Sequence, residues 1–231
     1  MSRLFLIRHG QASFGADDYD VLSATGIRQA QCLGEHLARF APAFDAVYCG
    51  PKKRHLGTAR HLIDAASDGG RTLPEPVVID GLDEYPAFEL LRQWMPALQE
   101  DPELRDILDP KASPAVTQRA FSRVIARWVN GDLATGDLES FAEFCARVST
   151  AIDRIIAAEG RKKNILVVTS GGPIAATLRR ALGLCGEVMM KVSWVVANAS
   201  LTELRYREDE LSLYGFNACH HLVASDLITY R

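Results

Sequence analysis

Short, continuous runs of hydrophobic residues recur along the chain, and they occupy residues 4–7, 46–49, 77–79 and 164–170. A run without polar alternation is typical of a strand that is buried on both faces of a parallel sheet. Between the runs, apolar residues recur every three or four positions, as in amphipathic helices, over residues 27–37, 56–66 and 140–159. Strands that alternate with helices predict βαβ units, and therefore a mostly parallel sheet with helices on both faces.

Two segments do not follow this alternation. Between about residues 85 and 130, short helical patterns are interrupted by prolines and no strand-like run occurs, so we expect a helical insertion over the sheet. Residues 200–206 and 211–216 flank a charged turn, which predicts an antiparallel hairpin at the edge of the sheet. The pattern as a whole predicts a three-layer α/β fold in a single domain, 1–231.

The composition is that of a soluble globular protein, with 48% hydrophobic and 24% charged residues in 231 positions. The net charge of −3 gives no general attraction to nucleic acids or anionic membranes, and we expect neither as a partner. The apolar run at the N-terminus is too short for a secretion signal, and no later run reaches a membrane-spanning length. We therefore expect a cytoplasmic protein.

Cysteines and histidines do not form a pattern that suits a metal. The five cysteines are scattered and include no C-x-x-C pair, which argues against both a disulfide framework and a thiolate zinc site. We expect His36, His55 and His61 to lie on helix surfaces, and none of them forms an H-x-x-x-H pair. The sequence thus predicts a metal-independent protein without a cofactor.

Ligands bind beyond the carboxyl ends of the strands in open α/β sheets, so the residues that follow each strand are the candidates for a site. Here those positions hold mostly charged or polar side chains, together with a glycine at a helix start: Arg8, His9, Gln11, Arg54, Glu84, Ser170 and Gly171. We expect this set to meet an anionic ligand locally, in spite of the negative net charge.

This set of residues suits a phosphate dianion. The planar fork of an arginine matches phosphate oxygens, and amides at a helix N-terminus add positive potential. A histidine beside two guanidinium groups is disfavoured as a cation, which keeps a lone pair free to attack phosphorus. A carboxylic acid across the site can protonate the leaving oxygen. An isolated Arg-His pair is more often structural, and Lys52 and Lys53 are expected to be solvated.

The ordered set of motifs resembles the histidine phosphatase superfamily, also called phosphoglycerate mutase-like proteins. LIRHGQ at 6–11 resembles its R-H-G-[EQ] signature, and LSATGIRQA at 22–30 resembles L-[ST]-x-x-G-x-x-Q-A. GPKKRHLGTA at 50–59 is similar to S-P-L-x-R-A-x-x-T-A, although Gly50 replaces serine and Lys52 replaces leucine. Further similarities are found in LDE at 82–84, which fits L-x-E, in NAS at 198–200 and in NACHHL at 217–222.

The resemblance implies a role for each matching residue. His9 would be the nucleophile that forms a phosphohistidine, and Glu84 would be the proton donor. Arg8 and Arg54 would hold the phosphoryl oxygens, with Gln11, Ser170 and Gly171 also in the phosphate pocket. The family's G-x-W-E-G continuation is missing around Glu84, and Asp83 is its neighbour.

The main departure from the family is Ser170, because the family usually has a second histidine there, in a strand that ends S-H-G-G. A hydroxyl retains part of the hydrogen bond to a charged group, so we expect a loss of about one or two powers of ten in rate. A serine at a strand-to-helix turn is also found in the nucleophile elbow of α/β-hydrolases. The G-x-S-x-G pattern fails at Val168, and a base would have to come from His220 or His221.

The sequence therefore predicts a phosphatase that hydrolyses a phosphomonoester of a small or medium metabolite. Two alternatives stay open. One is a phosphoglycerate mutase-like phosphotransferase, for which we identify no additional basic residues. The other is a weakly active or inactive protein that binds a phosphorylated ligand, which Ser170 motivates. The substrate and the oligomeric state are not determined by any motif, since the hairpin suits a monomer as well as pairing with another subunit.

Overall fold

The computed structural model describes residues 2–13, 20–100, 114–132, 134–208, 210–223 and 225–230. The chain divides into two compact units. The first unit comprises Met1–Glu84 together with Arg147–Arg231, and the second comprises Tyr85–Ala146.

The first unit is built on a six-stranded sheet with the order β3-β2-β4-β1-β5-β6. The strands are β1 (Ser2–Arg8), β2 (Ala46–Cys49), β3 (Pro76–Val78), β4 (Asn164–Thr169), β5 (Leu201–Arg207) and β6 (Glu210–Ala218). The first four strands run parallel, whereas β5 pairs antiparallel with both β1 and β6. The predicted α/β fold with a mostly parallel sheet and a C-terminal edge hairpin is therefore confirmed.

The described residues of the two units contain eight helices. They are α1 (Ala24–Phe40), α2 (Lys53–Asp68), α3 (Ala87–Glu100), α4 (Pro114–Asn130), α5 (Phe141–Glu159), α6 (Gly171–Leu182), α7 (Gly186–Val195) and α8 (His220–Val223). A short 3-10 turn, Asp80–Leu82, follows β3. The helices predicted over 27–37, 56–66 and 140–159 match α1, α2 and α5, and α6 begins at Gly171, the glycine expected at a helix start. Helix α7 was not predicted.

Both faces of the central strands are covered, which explains why their sequences do not alternate. Phe5 and Ile7 of β1 pack in a core cluster with residues of α1 and α2. Leu4 and Leu6 point to the opposite face and are equally buried. Strand β3, by contrast, lies at the edge of the sheet and is half-exposed.

The loop after β1 passes so close to the start of α1 that two glycines are required. A Cβ at Gly10 would lie 2.4 Å from the carbonyl oxygen of Gly26, and a Cβ at Gly26 would lie 2.1 Å from that of Gln11. The hydroxyl of Ser23 caps α1 by accepting from the amide of Gly26. This crossing fixes the residues directly after His9.

The second unit holds α3, α4 and the first turn of α5, in the region of the predicted helical insertion. Its centre is an aromatic cluster in which Trp128 stacks on Tyr85 and contacts Phe141 and Phe144. The indole nitrogen of Trp94 donates to the carbonyl of Ala134 at 2.8 Å. These aromatic residues pack within the unit. The position of the insertion over the sheet stays a prediction.

Candidate active site

The ends of neighbouring strands bring the predicted residues together. His9 follows β1, Arg54 lies in the first turn of α2 after β2, and Ser170 precedes α6 after β4. Arg54 Nε donates to His9 Nε2 at 3.2 Å, and its Nη2 lies 3.5 Å from the Oγ of Ser170. Three of the seven predicted residues therefore meet through one guanidinium group.

The hydrogen bonds of His9 define its tautomer. Its Nδ1 lies 2.7 Å from the carbonyl oxygen of Gly10, and a carbonyl only accepts, so Nδ1 carries the hydrogen. The lone pair of the neutral ring is then on Nε2, which faces Arg54. The backbone is held as well, because Asn198 Nδ2 donates to the carbonyl of His9 and the His9 amide donates to Thr169.

The environment of His9 opposes its protonation. Burial lowers the pKa of the imidazole well below its usual value of 6.5, and the nearby charges of Arg54 and Arg8 lower it further. A weaker contribution in the same direction comes from His55. His9 is therefore neutral at neutral pH, with an unprotonated Nε2.

Arg54 is fixed by a carboxylate that no motif indicates. Its Nη1 forms an ion pair of 2.6 Å with Asp20, whose other oxygen accepts from the amide of Lys53. Asp20 thus orients the guanidinium and also receives an amide at the start of α2. The sequence alone does not select Asp20, because Asp17 and Asp18 lie in the same polar loop.

Glu84 lies at the N-terminus of α6, where its Oε2 accepts from the amide of Gly172 at 3.2 Å. The preceding turn is anchored to β4, since Thr169 Oγ1 donates to the carbonyl of Leu82. Asp83, the other candidate carboxylate, instead forms an ion pair of 3.1 Å with Lys52. Of the two neighbours, Glu84 is therefore the one bonded to the start of α6.

Arg8, Gln11 and Gly171 lie around this centre. Arg8 Nη1 donates to the carbonyls of Val196 and Tyr230. The side-chain oxygen of Gln11 accepts from the hydroxyl of Ser23 at 2.9 Å. A Cβ at Gly171 would lie 3.0 Å from the carbonyl of Ser193, so the glycine permits a close approach at the first residue of α6. Phosphate binding by these residues stays a prediction.

The expectation that His55 lies on a helix surface is wrong. Its side chain is 0% exposed, and its Nε2 lies 2.7 Å from the Oγ of Ser170. His55 precedes Ala59 and Leu62 by four and seven residues, which places it on the buried face of α2. The spacing could have indicated this position. Leu56, expected on that face, is instead 39% exposed.

The same contact bears on the α/β-hydrolase alternative, for which the sequence offered His220 or His221 as the base next to Ser170. Among the described residues, the imidazole that contacts Ser170 belongs to His55, not to His220 or His221. The ring of His221 is bound elsewhere, with Nε2 3.0 Å from the carbonyl of Ala199.

No group of three or more His, Cys, Asp and Glu side chains among the described residues is arranged to hold a metal ion. Within the same part of the chain, every helix is too short or too polar to cross a membrane.

Comparisons with known proteins agree with the motifs. A family model described as "Histidine phosphatase superfamily (branch 1)" matches residues 4–130 and 88–218. A relative from Escherichia coli, named adenosylcobalamin/alpha-ribazole phosphatase, is 28% identical over 193 residues, which are 81% of this chain and 82% of the relative.

Solved structures show the same fold. The alpha-ribazole phosphatase from Shigella flexneri superposes with a TM-score of 0.64 at 25% identity, covering 94% of this chain and 96% of that one. A phosphoserine phosphatase variant from Entamoeba histolytica, in complex with phosphoserine, gives a TM-score of 0.66 at 21% identity and covers 96% and 100%. Because the family model spans most of the chain and the motifs and fold agree with it, this protein belongs to the histidine phosphatase superfamily, branch 1.

Proposed function

We propose that the protein is a phosphomonoesterase, which hydrolyses the phosphate ester of a small or medium metabolite through a phosphohistidine on His9. The tautomer of His9 carries this proposal. Its Nδ1 is bonded to the carbonyl of Gly10, and its Nε2 lone pair lies next to the guanidinium of Arg54. A neutral imidazole in this orientation is a nucleophile that needs no prior loss of a proton.

In the first step, the phosphorus of the substrate replaces the Nε of Arg54 as the neighbour of His9 Nε2. The N–P bond forms while the ester P–O bond breaks, and charge develops on the phosphoryl oxygens. Arg54, Arg8 and the amide of Gly171 at the start of α6 stabilise that charge. Gln11 completes this pocket.

Glu84 serves as the acid and then as the base. As a carboxylic acid it donates its proton to the leaving oxygen, which departs as an alcohol. The carboxylate then takes a proton from water, and the water oxygen attacks the phosphohistidine. The P–N bond breaks, inorganic phosphate leaves, and both His9 and Glu84 return to their starting forms.

The alternative of a protein that binds a phosphorylated ligand without turnover uses the same pocket. A pure binder needs neither the Nε2 lone pair beside a guanidinium nor a carboxyl at the start of α6, so the arrangement favours the enzyme. Tight phosphate binding without turnover by the wild-type protein would favour the binder instead.

The test is hydrolysis of p-nitrophenyl phosphate by the wild-type protein and by His9→Ala. The control is His61→Ala, which removes a histidine that lies on α2 and has no role in the proposed mechanism. We expect His9→Ala to lose at least about 10³-fold in kcat/KM, as for other nucleophiles, and His61→Ala to retain activity. A rapid acid-free quench followed by intact mass measurement should find one added phosphoryl group on the wild type and none on His9→Ala. Full activity of His9→Ala would refute the mechanism.

The relatives suggest the first natural substrates to test. Alpha-ribazole 5′-phosphate, phosphoserine and 3-phosphoglyceric acid are the compounds that their names mention. A kcat/KM for one of them well above that for p-nitrophenyl phosphate would identify the class of leaving group that the pocket prefers.

A further inference from the structure

A buried hydrogen bond joins helix α2 to the turn between β4 and α6. His55 Nε2 and Ser170 Oγ are 2.7 Å apart, and both side chains are fully buried. The ring of His55 lies close behind the proposed nucleophile, with a distance of 5.6 Å between its centroid and that of His9. The proposed mechanism gives His55 no role. Burial of an imidazole nevertheless costs free energy of folding unless its nitrogens form hydrogen bonds.

The ring of His55 fits only because residue 50 is a glycine. A Cβ at Gly50 would lie 2.3 Å from Nδ1 of His55 and 2.9 Å from its Cε1. Positions 50, 55 and 170 are also three places where this chain departs from the motifs that it otherwise resembles, which have serine, alanine and histidine there. The three departures meet in one contact.

The pair is connected to the reacting atoms through Arg54. Ser170 Oγ lies 3.5 Å from Arg54 Nη2, at the long end of the hydrogen-bond range, and Arg54 Nε donates to His9 Nε2. With Asp20 on Nη1, each nitrogen of the guanidinium has a neighbour that limits its rotation. Burial lowers the pKa of His55 well below its usual value, which favours the neutral ring in this contact.

We propose that His55 and Ser170 are positioning residues for phosphoryl transfer, and that their hydrogen bond holds the Arg54 guanidinium in the orientation that meets the phosphoryl group on His9. This inference rests on the proposed function of His9. On this proposal, the imidazole of His55 replaces the histidine that is missing at position 170, and Gly50 leaves the space that the imidazole occupies.

A double-mutant cycle tests the coupling. Ser170→Ala and His55→Ala remove the same hydrogen bond, so we expect each to lower kcat for p-nitrophenyl phosphate about 10- to 100-fold, and the double variant to lose no more than the larger single loss. His55→Gln, whose amide reaches towards the position of Nε2, should recover part of the rate. His61→Ala is the control from the same helix. Fully additive losses would overturn the proposal.

Exchange of the imidazole between the two positions gives the sharper result. In the wild type, Ser170→His adds a ring where His55 Nε2 already lies, so we expect kcat/KM to fall. In the His55→Ala background, the same substitution should raise kcat/KM. Gly50→Ser should likewise lower the melting temperature more in the wild type than in the His55→Ala background. An increase from Ser170→His of equal size in both backgrounds would refute the inference.

Two readouts separate this inference from the proposed function. Retained turnover in His9→Ala would refute the nucleophile, whatever the variants at 55 and 170 do. The dissociation constant of orthovanadate, measured by calorimetry, reports the guanidinium geometry without turnover. We expect this constant to rise to the same extent in His55→Ala and in Ser170→Ala, and to rise no further in the double variant. Unchanged vanadate binding in both single variants would overturn the positioning role.

Discussion

At the scale of single residues, the two ring nitrogens of His9 have different surroundings. One nitrogen donates to a backbone carbonyl, which fixes the tautomer, and the other accepts from a guanidinium. After burial, the positive charges of Arg54 and Arg8 lower the pKa of the imidazole, and the same charges would attract a phosphate dianion. In the proposed mechanism, substrate binding and activation of His9 would therefore depend on the same arginines.

The role of Glu84 as acid can be tested through the leaving group. Glu84→Gln cannot donate a proton, so we expect kcat to fall about 10²- to 10⁴-fold for an alkyl phosphate such as phosphoserine. The loss should be much smaller for p-nitrophenyl phosphate, because p-nitrophenolate leaves without a proton.

The matched control for this experiment is Asp83→Asn. The neighbouring carboxylate is paired with Lys52, and the amide retains an oxygen that can accept from the Glu84 backbone. This variant should retain nearly full activity with both substrates. Equal losses in Glu84→Gln for the two substrates would contradict acid catalysis by Glu84.

The sequence predicted the residues that have a fixed place in a motif, and it missed those placed by packing. His9, Arg54 and Ser170 were identified from their positions after strands, and the structure brings them into contact. Asp20 reaches Arg54 from a loop with several aspartates, where no spacing rule selects one of them. His55 was assigned by residue type to the surface, although its spacing on α2 places it inside.

At the scale of secondary-structure elements, the strand–loop–helix unit of β1 and α1 depends on two backbones in contact. Gly26→Ala would place a Cβ 2.1 Å from the carbonyl oxygen of Gln11. Backbone atoms cannot yield as a side chain does, so we expect the free energy of unfolding to fall by about 1–3 kcal/mol, and the loop after His9 to shift. Urea denaturation measures the first effect, and kcat with p-nitrophenyl phosphate measures the second.

Gly57→Ala is the control for a glycine in a helix. Its Cβ would contact only the flexible end of Leu22, at 3.3 Å, and alanine favours the helical conformation by about 1 kcal/mol over glycine. We expect this variant to be as stable as the wild type or more stable. A Gly26→Ala protein with unchanged stability would show that the crossing tolerates a side chain.

The elements that the sequence predicts are those whose hydrophobic residues form a clear pattern. Strands β1, β2 and β4 stand out because both of their faces are buried, and α1, α2 and α5 stand out because one face is apolar. Helix α7 has apolar residues around much of its circumference, including Met189, Met190 and Val195, so its sequence has no clear helical period. Cys185 at its start offers no side-chain cap, which removes the other usual signal.

At the scale of the whole molecule, partly or fully buried histidines make stability depend on pH. Burial lowers the pKa of His9 and of His55 well below 6.5, and that of His221 to about 4. Below pH 6.5 the unfolded chain therefore binds more protons than the folded one, so stability is present above that pH and is lost as the pH falls. Each such histidine contributes a slope of up to about 1.4 kcal/mol per pH unit.

We expect the melting temperature to fall by several degrees between pH 7 and pH 5, because 1 kcal/mol corresponds to about 2–4 °C for a chain of this size. Differential scanning calorimetry across this range measures the effect. His221→Gln retains a donor for the carbonyl of Ala199 but cannot titrate, so its melting temperature should fall less steeply. A melting temperature that is independent of pH from 7 to 5 would contradict this account.

The close fit of His55 against Gly50 has a consequence for how such a site can arise during evolution. From an ancestor with serine at position 50, a histidine at position 55 would collide with the serine side chain if it came first. On the proposed arrangement the glycine would precede the histidine at position 55. The histidine at position 170 would be lost before or together with the gain of His55, because the two rings would occupy the same space. Relatives that carry histidine at position 55 should therefore also carry glycine at position 50. Relatives with the glycine but without the histidine should also occur, because they correspond to the intermediate step.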